Sequence, residues 1–298
     1  MGCFITYPYT VETDQDIIYK LTKQRLYKMD KISSNHATFY TDKKKHLWKI
    51  VKNIRKEDMK ETYFNNLRVF LLNEFPYILS PTSVVWMDNT SVIGIQMPRA
   101  ETDLFNILSN PFDVPLVLNG MKGIICAINW LHEQGLAHHD IKPENIVLHQ
   151  FKFKLIDFDF TMPLEEIHFC GTEHFLCNEN IVKKWNTKEI ISNNTISKRM
   201  DNYSFGKTIY SILWQACVHQ YIIKHKRKIW NRFHSEIVNE DHVELAPVWQ
   251  QWIDLADQCC SMHSLRELPT TMKDTLTTEN LPTVMTPTKV VHADPTFA

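Results

Sequence analysis

The chain has 298 residues, of which 44% are hydrophobic and 22% charged, with a formal net charge of −1. That is enough for a sizeable core, as one large domain or two small lobes, and it gives no global electrostatic case for a nucleic-acid or anionic-membrane partner. The seven cysteines are scattered, odd in number and form no C-x-x-C pair, which argues against a disulfide framework or a zinc site and fits a reduced, cytosolic-type protein. No apolar run is read as a transmembrane segment, and no signal peptide is evident.

Met1-Gly2-Cys3-Phe4-Ile5-Thr6 fits the M-G-x-x-x-[ST] pattern of N-myristoylation, with a cysteine that could take a second acyl chain. Phe4 and Ile5 are bulky for that pattern, so an ordinary N-terminus is expected. Residues 1–30 are otherwise mixed. From Ala37 to Val51 the segments HATFYT and HLWKIV alternate across the turn Asp42-Lys43-Lys44-Lys45, which predicts a β-hairpin. The lysine run reads as a charged turn, with a phosphate or nucleic-acid patch as the rival reading.

Residues 55–74 read as a helix, with Phe64, Leu67 and Leu71 at helical spacing. SVVWMD and VIGIQM flank the polar turn Asp88–Ser91 and predict a further strand pair. Residues 114–134 form the clearest amphipathic helix. Val117, Met121, Ile124, Ile125, Ile128 and Leu131 line one face, and Gly135 is placed to end it.

Residues 135–159 carry the chemistry. His138 to Asn145 reads H-x-D-x-K-x-x-N, and Asp157-Phe158-Asp159 follows the short apolar run Lys154-Leu155-Ile156. Phosphoryl transfer needs Mg²⁺ on the phosphates, an aimed hydroxyl and cationic charge on the transferring group. Asp140 can accept or orient the hydroxyl proton, and Lys142 can neutralise a γ-phosphate. Asn145 and Asp157 supply the hard oxygen ligands that Mg²⁺ prefers. A polar turn before a hairpin is the plainer alternative. Four matched positions, the Asp-Phe pair and the strand between them tell against it.

Downstream, Asp201 can cap a helix whose continuation, Ile209, Ile212, Leu213, Ala216 and Cys217, reads as buried. The polar stretch 182–200 reads as a surface loop or substrate-facing insert. Residues 248–260 read as one more helix, and the chain from Thr270 onward is Thr- and Pro-rich with few large apolar residues.

The 135–159 stretch resembles the catalytic and metal-binding loops of the eukaryotic-type protein kinases, and Lys142 three residues before Asn145 resembles the serine/threonine subclass. The resemblance covers roughly residues 20–270. It implies an α+β fold of two lobes. A small strand-rich N-lobe with an N-terminal extension would occupy 1–97, a mainly helical C-lobe 98–270, and a flexible polar tail 271–298. It implies ATP with Mg²⁺ (or Mn²⁺) as cofactors and proteins as substrates, and it implies no nucleic-acid partner. On this resemblance Asp140 is the catalytic base, with Lys142 and Thr172 beside it, and Asn145 and Asp157 bind the metal. Lys49 holds the nucleotide phosphates and pairs with a helix glutamate, Glu61 first and Glu57 next. Ile95 guards the pocket from behind, the backbone of Gln96 and Met97 meets adenine, and Glu101 or Asp103 lies near the ribose. Ser33 and Asn35 belong to the loop over the phosphates. Gly171 to Glu179 resembles the end of an activation segment, with Arg266 as the candidate partner of Glu179. Asp201 braces the catalytic loop.

The departures are specific. No glycine lies between Gly2 and Gly94, so a glycine-rich phosphate loop cannot form. Leu47 replaces a small residue beside the adenine pocket. Cys177-Asn178 stands where Ala-Pro is usual. His139 replaces the arginine that binds an activation-segment phosphate, which implies activity independent of such phosphorylation. Asp159 replaces a glycine, as a second cation ligand or as a surface turn residue. These losses leave a pseudokinase scaffold as the rival to an enzyme, but the retained Lys49, Asp140, Lys142, Asn145 and Asp157 favour catalysis. The length and departures also look like a small viral serine/threonine kinase, which implies action in the host cytoplasm and packaging in the virion, on viral or host proteins. Oligomeric state is not legible.

Overall fold

Alternating side chains in the first third of the chain build a five-stranded antiparallel sheet. In a computed structural model the described residues are 27–33, 37–42, 46–51, 56–87, 92–177, 179–186, 192–225 and 247–261. Strands β1 (Tyr27–Ser33), β2 (Ala37–Thr41), β3 (Leu47–Val51), β4 (Ser83–Met87) and β5 (Val92–Met97) lie in the order β1-β2-β3-β5-β4. The predicted hairpin is β2–β3, with Thr41 opposite Leu47 and Ala37 opposite Val51. Trp48 and Ile50 pack with Tyr40 and Val92 in one core cluster. Val51, Ile93, Ile95 and Met97 pack in a second with Met59, which lies on helix α1 (Lys56–Phe70).

Helix α1 is where the predicted stripe fails. Phe64 is 41% exposed and Leu71 71%, while Met59, Thr62, Asn65, Asn66 and Val69 are buried. The buried face is therefore partly polar. Counting apolar residues alone selected the wrong side, because the inward amides have hydrogen-bond partners across the cleft and so bury at low cost.

The second half is mainly helical, as expected. After β6 (Thr102–Asp103) and the short α2 (Leu104–Leu108), helix α3 (Val114–Glu133) starts at Asp113, whose side chain accepts from the Leu116 N–H. All six residues of its predicted stripe are buried. By length and composition α3 could cross a membrane. More than half of it is buried against the protein, as in a core helix. Gly135 leaves it at φ +78°, a conformation glycine adopts without strain. Two short pairings follow. β7 (Leu136–Ala137) pairs with β10 (Met162–Pro163), and β8 (Ile146–His149) joins β6 to β9 (Lys152–Leu155).

The polar stretch 182–200 is not a loop throughout. It contributes to α4 (Glu179–Asn186) and to the start of the 33-residue α5 (Asn193–His225). Val182, Ile196 and Met200 bury against Cys177, so three apolar residues suffice to seat an otherwise polar segment. Helix α6 (Pro247–Ser261) packs on α5. At the crossing, a Cβ on Gly206 would lie 2.9 Å from Cys259 Cβ and from Cys260 Sγ, and 3.0 Å from the Ala256 carbonyl. Gly206→Ala is expected to destabilise by about 1–3 kcal/mol from overpacking, about 2–4 °C in melting temperature per kcal/mol. A thermal melt that stayed level or rose would show that the two helices can part. The tail 271–298 lies outside the described residues.

Candidate active site

The loop 138–145 is held from below by one buried carboxylate. Asp201, on α5, accepts the main-chain N–H of His138 at 2.8 Å and of His139 at 2.8 Å, and Nε2 of His132 donates to it at 2.9 Å. Burial raises its carboxyl pKa, but the hydrogen bond and charge of His132, with His139 and His138, bring it down to about 2.

His138 has a fixed tautomer. Its Nε2 faces the Ile156 carbonyl at 3.0 Å, which can only accept, and its Nδ1 accepts the Asp140 N–H at 3.2 Å. Phe158 is buried and meets the His138 ring edge-on, with centroids 5.4 Å apart. His139 sits at φ +64°, a strained conformation for a side chain with a Cβ. It is 4% exposed, and neither ring nitrogen has a hydrogen-bond partner. Burial lowers its pKa, and the Asp201 charge only partly offsets this, so it is neutral near pH 7.

Asp140 gathers four donors. Its Oδ1 accepts from the Thr172 N–H and Oγ1, both at 3.0 Å, and its Oδ2 from Lys142 Nζ at 2.7 Å and Asn145 Nδ2 at 2.9 Å. Lys142 Nζ also reaches Thr172 Oγ1 at 2.6 Å. The segment bearing Thr172 is docked main chain to main chain. Gly171 has φ +122°, and a Cβ there would come 2.6 Å from the His139 carbonyl oxygen. Lys142 and Thr172, the other two residues assigned to catalysis, thus converge on the Asp140 carboxylate.

Asn145 spends its amide N–H groups on Asp140, which leaves its Oδ1 for a cation. Asp157, at φ +65°, uses Oδ1 to accept from Lys49 Nζ at 2.7 Å, which leaves Oδ2. Both residues line the same cavity. Two hard oxygens beside space for phosphates and water fit Mg²⁺. No cluster of three or more His, Cys, Asp or Glu suited to a metal occurs among the described residues, so any cation here would draw most of its ligands from phosphate and water.

Lys49 is the site's buried cation. Its second partner is Asp159 Oδ2 at 2.8 Å. Burial lowers the Lys49 pKa, but the two carboxylates outweigh that and raise it. Burial raises Asp157, and the Lys49 charge overcomes this and lowers it. Burial also raises Asp159, Lys49 opposes this, and the Asp157 charge adds to it, so Asp159 ends above its ordinary value. The surface-turn reading of Asp159 is therefore wrong, because its side chain is only 20% exposed and ion-paired.

Glu61 does not pair with Lys49. It is 48% exposed, with His168 Nδ1 at 4.0 Å, and Glu57 is exposed as well. The α1 residues turned toward the cleft are Asn65, whose Nδ2 donates to the Asp159 carbonyl at 2.7 Å, and Asn66, whose Nδ2 donates to Asp159 Oδ1 at 2.9 Å. Sequence reasoning missed both. The signal was there, since Met59, Thr62, Asn66 and Val69 follow helical spacing once polar residues are admitted to the buried face.

The cavity, about 320 Å³, runs from Lys49 and Asp157 to Met97 and Ala100. Strand register sets its roof. Leu47 lies opposite Met97 and Lys49 opposite Ile95. Leu47 and Met97 reach the cavity wall, and Ile95, fully buried, stands behind it. Gln96 points the other way. Its Nε2 reaches Asp42 Oδ2 at 3.4 Å, and its carbonyl accepts the Thr82 N–H at 2.7 Å. Glu101 and Asp103 both border the cavity, engaged with the Gln150 and Asn106 N–H groups. Ser33 pairs in register with Thr38, and its side chain, like Asn35 and Arg266, lies outside the described residues. The Glu179 side chain does too. A larger hollow of about 570 Å³ by Phe175 and Trp214 shares no residue with the loop 138–145.

Comparison with known proteins agrees with this geometry. The family model described as "Protein kinase domain" matches residues 34–275. The chain is 32% identical over 120 residues to the PAS domain-containing serine/threonine-protein kinase of Mus musculus, covering 38% of this chain and 8% of the relative. It is 26% identical over 219 residues to a cAMP-dependent protein kinase, catalytic subunit-like, of Caenorhabditis briggsae, covering 68% and 52%. It is 28% identical over 192 residues to cAMP-dependent protein kinase type 3 of Saccharomyces cerevisiae, covering 61% and 44%. The chain thus spans about half or less of these relatives' lengths.

Proposed function

The chain belongs to the protein kinase domain family, and from that premise we propose that it is an active serine/threonine kinase, transferring the γ-phosphoryl group of ATP to protein hydroxyls. The observation that carries this reading is the arrangement around Asp140, in which Lys142, Asn145 and Thr172 all donate to one carboxylate beside the cavity. Asp140 orients the attacking hydroxyl and takes its proton. Lys142 moves from Asp140 Oδ2 to the γ-phosphate, which frees that oxygen for the substrate. Thr172 keeps Oδ1 occupied and so fixes the carboxylate plane. Lys49 would hold the nucleotide phosphates, and Asn145 and Asp157 are the residues that would hold Mg²⁺. When bound, the metal neutralises charge on the phosphate oxygens. Met97 and Ala100 border the adenine end.

The test is transfer of labelled γ-phosphate from Mg-ATP to a basic serine/threonine protein, with Asp140→Asn beside the wild type. Transfer lost in the variant supports catalysis. No transfer, with ATP binding retained, would favour a nucleotide-binding scaffold.

His139 supports a second element of the proposal. A neutral, buried imidazole offers no cation to an activation-segment phosphate, so activity is independent of phosphorylation there. Phosphatase treatment is expected to leave the rate unchanged, and a loss traced to a site between 157 and 179 would refute this. In length and departures the chain resembles the small serine/threonine kinase of African swine fever virus. On that resemblance the proposed setting is the host cytoplasm and the virion, with viral or host proteins as substrates. The lobe boundary is proposed at 97/98, where β5 ends.

A further inference from the structure

We propose that Asp159 is a positioning residue that clamps Lys49 and ties it to helix α1, supplying from the 157–159 segment a carboxylate that the helix does not present to the cleft. The inference rests on the phosphotransferase reading above and deepens it.

Lys49 is a buried ammonium, and such a group needs a nearby counter-charge. Two carboxylates touch it, Asp157 at 2.7 Å and Asp159 at 2.8 Å. Asp157 also lines the cavity beside Asn145 and is the hard-oxygen ligand of the proposed metal. Once a divalent cation draws on Asp157, Asp159 is the protein carboxylate left to hold Lys49. Among the described residues no carboxylate of helix α1 forms an ion pair with Lys49, and Glu57 and Glu61 are exposed, with Glu61 facing His168.

Asp159 is also built in for that task. Its Oδ2 accepts from Lys49, its Oδ1 from Asn66 and its main-chain carbonyl from Asn65. Asn65 is itself held by Arg68 Nη1 at 2.6 Å. Both carboxylate oxygens are thus committed to the protein, which disfavours the second-cation role. The result is a chain of contacts from strand β3 through Asp159 to α1, so the nucleotide lysine, the metal-binding segment and the helix hold one mutual position. Because Asn66 Nδ2 already stands 2.9 Å from Asp159 Oδ1, a glutamate at position 66 would reach the space that the Asp159 carboxylate fills.

Four proteins test this: wild type, Asp159→Asn, Asp159→Gly and the double variant Asp159→Gly/Asn66→Glu. Steady-state phosphotransfer is measured against ATP and against Mg²⁺, and Lys49 acylation by an amine-reactive reagent at pH 9 is followed by mass spectrometry. Asp159→Asn keeps the shape and removes the charge. It is expected to raise the KM for ATP and to lower kcat/KM about 10–100-fold, the range reported for loss of an outer-shell orienting partner. Its Lys49, held by one carboxylate instead of two, should acylate faster. The double variant should recover most of what Asp159→Gly loses. Unchanged acylation in Asp159→Asn, or a double variant no better than Asp159→Gly, would overturn the proposal. So would a variant whose main change is a higher Mg²⁺ requirement, because Asp159 would then be a metal ligand. If wild type transfers no phosphate, the kinase reading fails by itself, and the acylation rates still decide whether Asp159 clamps Lys49.

Discussion

Asp140→Asn is expected to lower kcat by about 10²–10⁴-fold, the range for loss of a positioned general base, while ATP affinity stays within a few-fold. The two halves of the effect come from different atoms. The amide cannot take up a proton. It also cannot satisfy four donors, because an Nδ2 turned toward Lys142 and Asn145 would set donor against donor, and turned the other way it would do the same to Thr172. Lys49 and Asp157 lie outside that knot, so calorimetric titration with ATP should report a bound nucleotide in a protein that no longer turns over. A variant within tenfold of the wild-type rate would mean that Asp140 only positions its neighbours.

Asp201→Asn should have the largest effect on stability. It replaces a buried carboxylate that accepts two main-chain N–H groups and His132, and breaking such an arrangement costs about 3–5 kcal/mol. The acid dependence follows from the same residue. Its folded carboxyl titrates at about 2 against an ordinary 3.8, so the unfolded chain binds the proton first as pH falls. The stabilisation is complete above about pH 4 and lost on descent toward pH 2, a span worth roughly 2 kcal/mol. Urea titrations at stepped pH should show wild type losing this increment and Asp201→Asn showing a flatter curve. Equal slopes would mean that the carboxyl is not held down by its partners.

What could be read from the chain alone was whatever lies close together along it. Asp140, Lys142 and Asn145 fall within one short loop, and the side-chain periods of β2, β3 and α3 repeat several times each. The Asp201 brace was legible only through the family resemblance, and its reading as a helix N-cap was wrong, because α5 begins at Asn193 and places Asp201 inside its third turn. What escaped were pairings between distant segments. Lys49 meets Asp159 across 110 positions, and no local pattern distinguishes that partner from Glu61. The buried side of α1 was misread because its amides are satisfied by Asp159, a reason that resides outside the helix.

Where Gly171 passes the His139 carbonyl, the clearance is thinner than a methyl group. The spacing that brings Thr172 onto Asp140 is therefore gauged by bare backbone, with no side chain available to adjust it. A gauge of that kind has no graded settings. Neighbouring positions can drift freely while the gap holds, yet the smallest possible addition at residue 171 would hold Thr172 off Asp140 and leave Lys142 as the only one of the two still in reach.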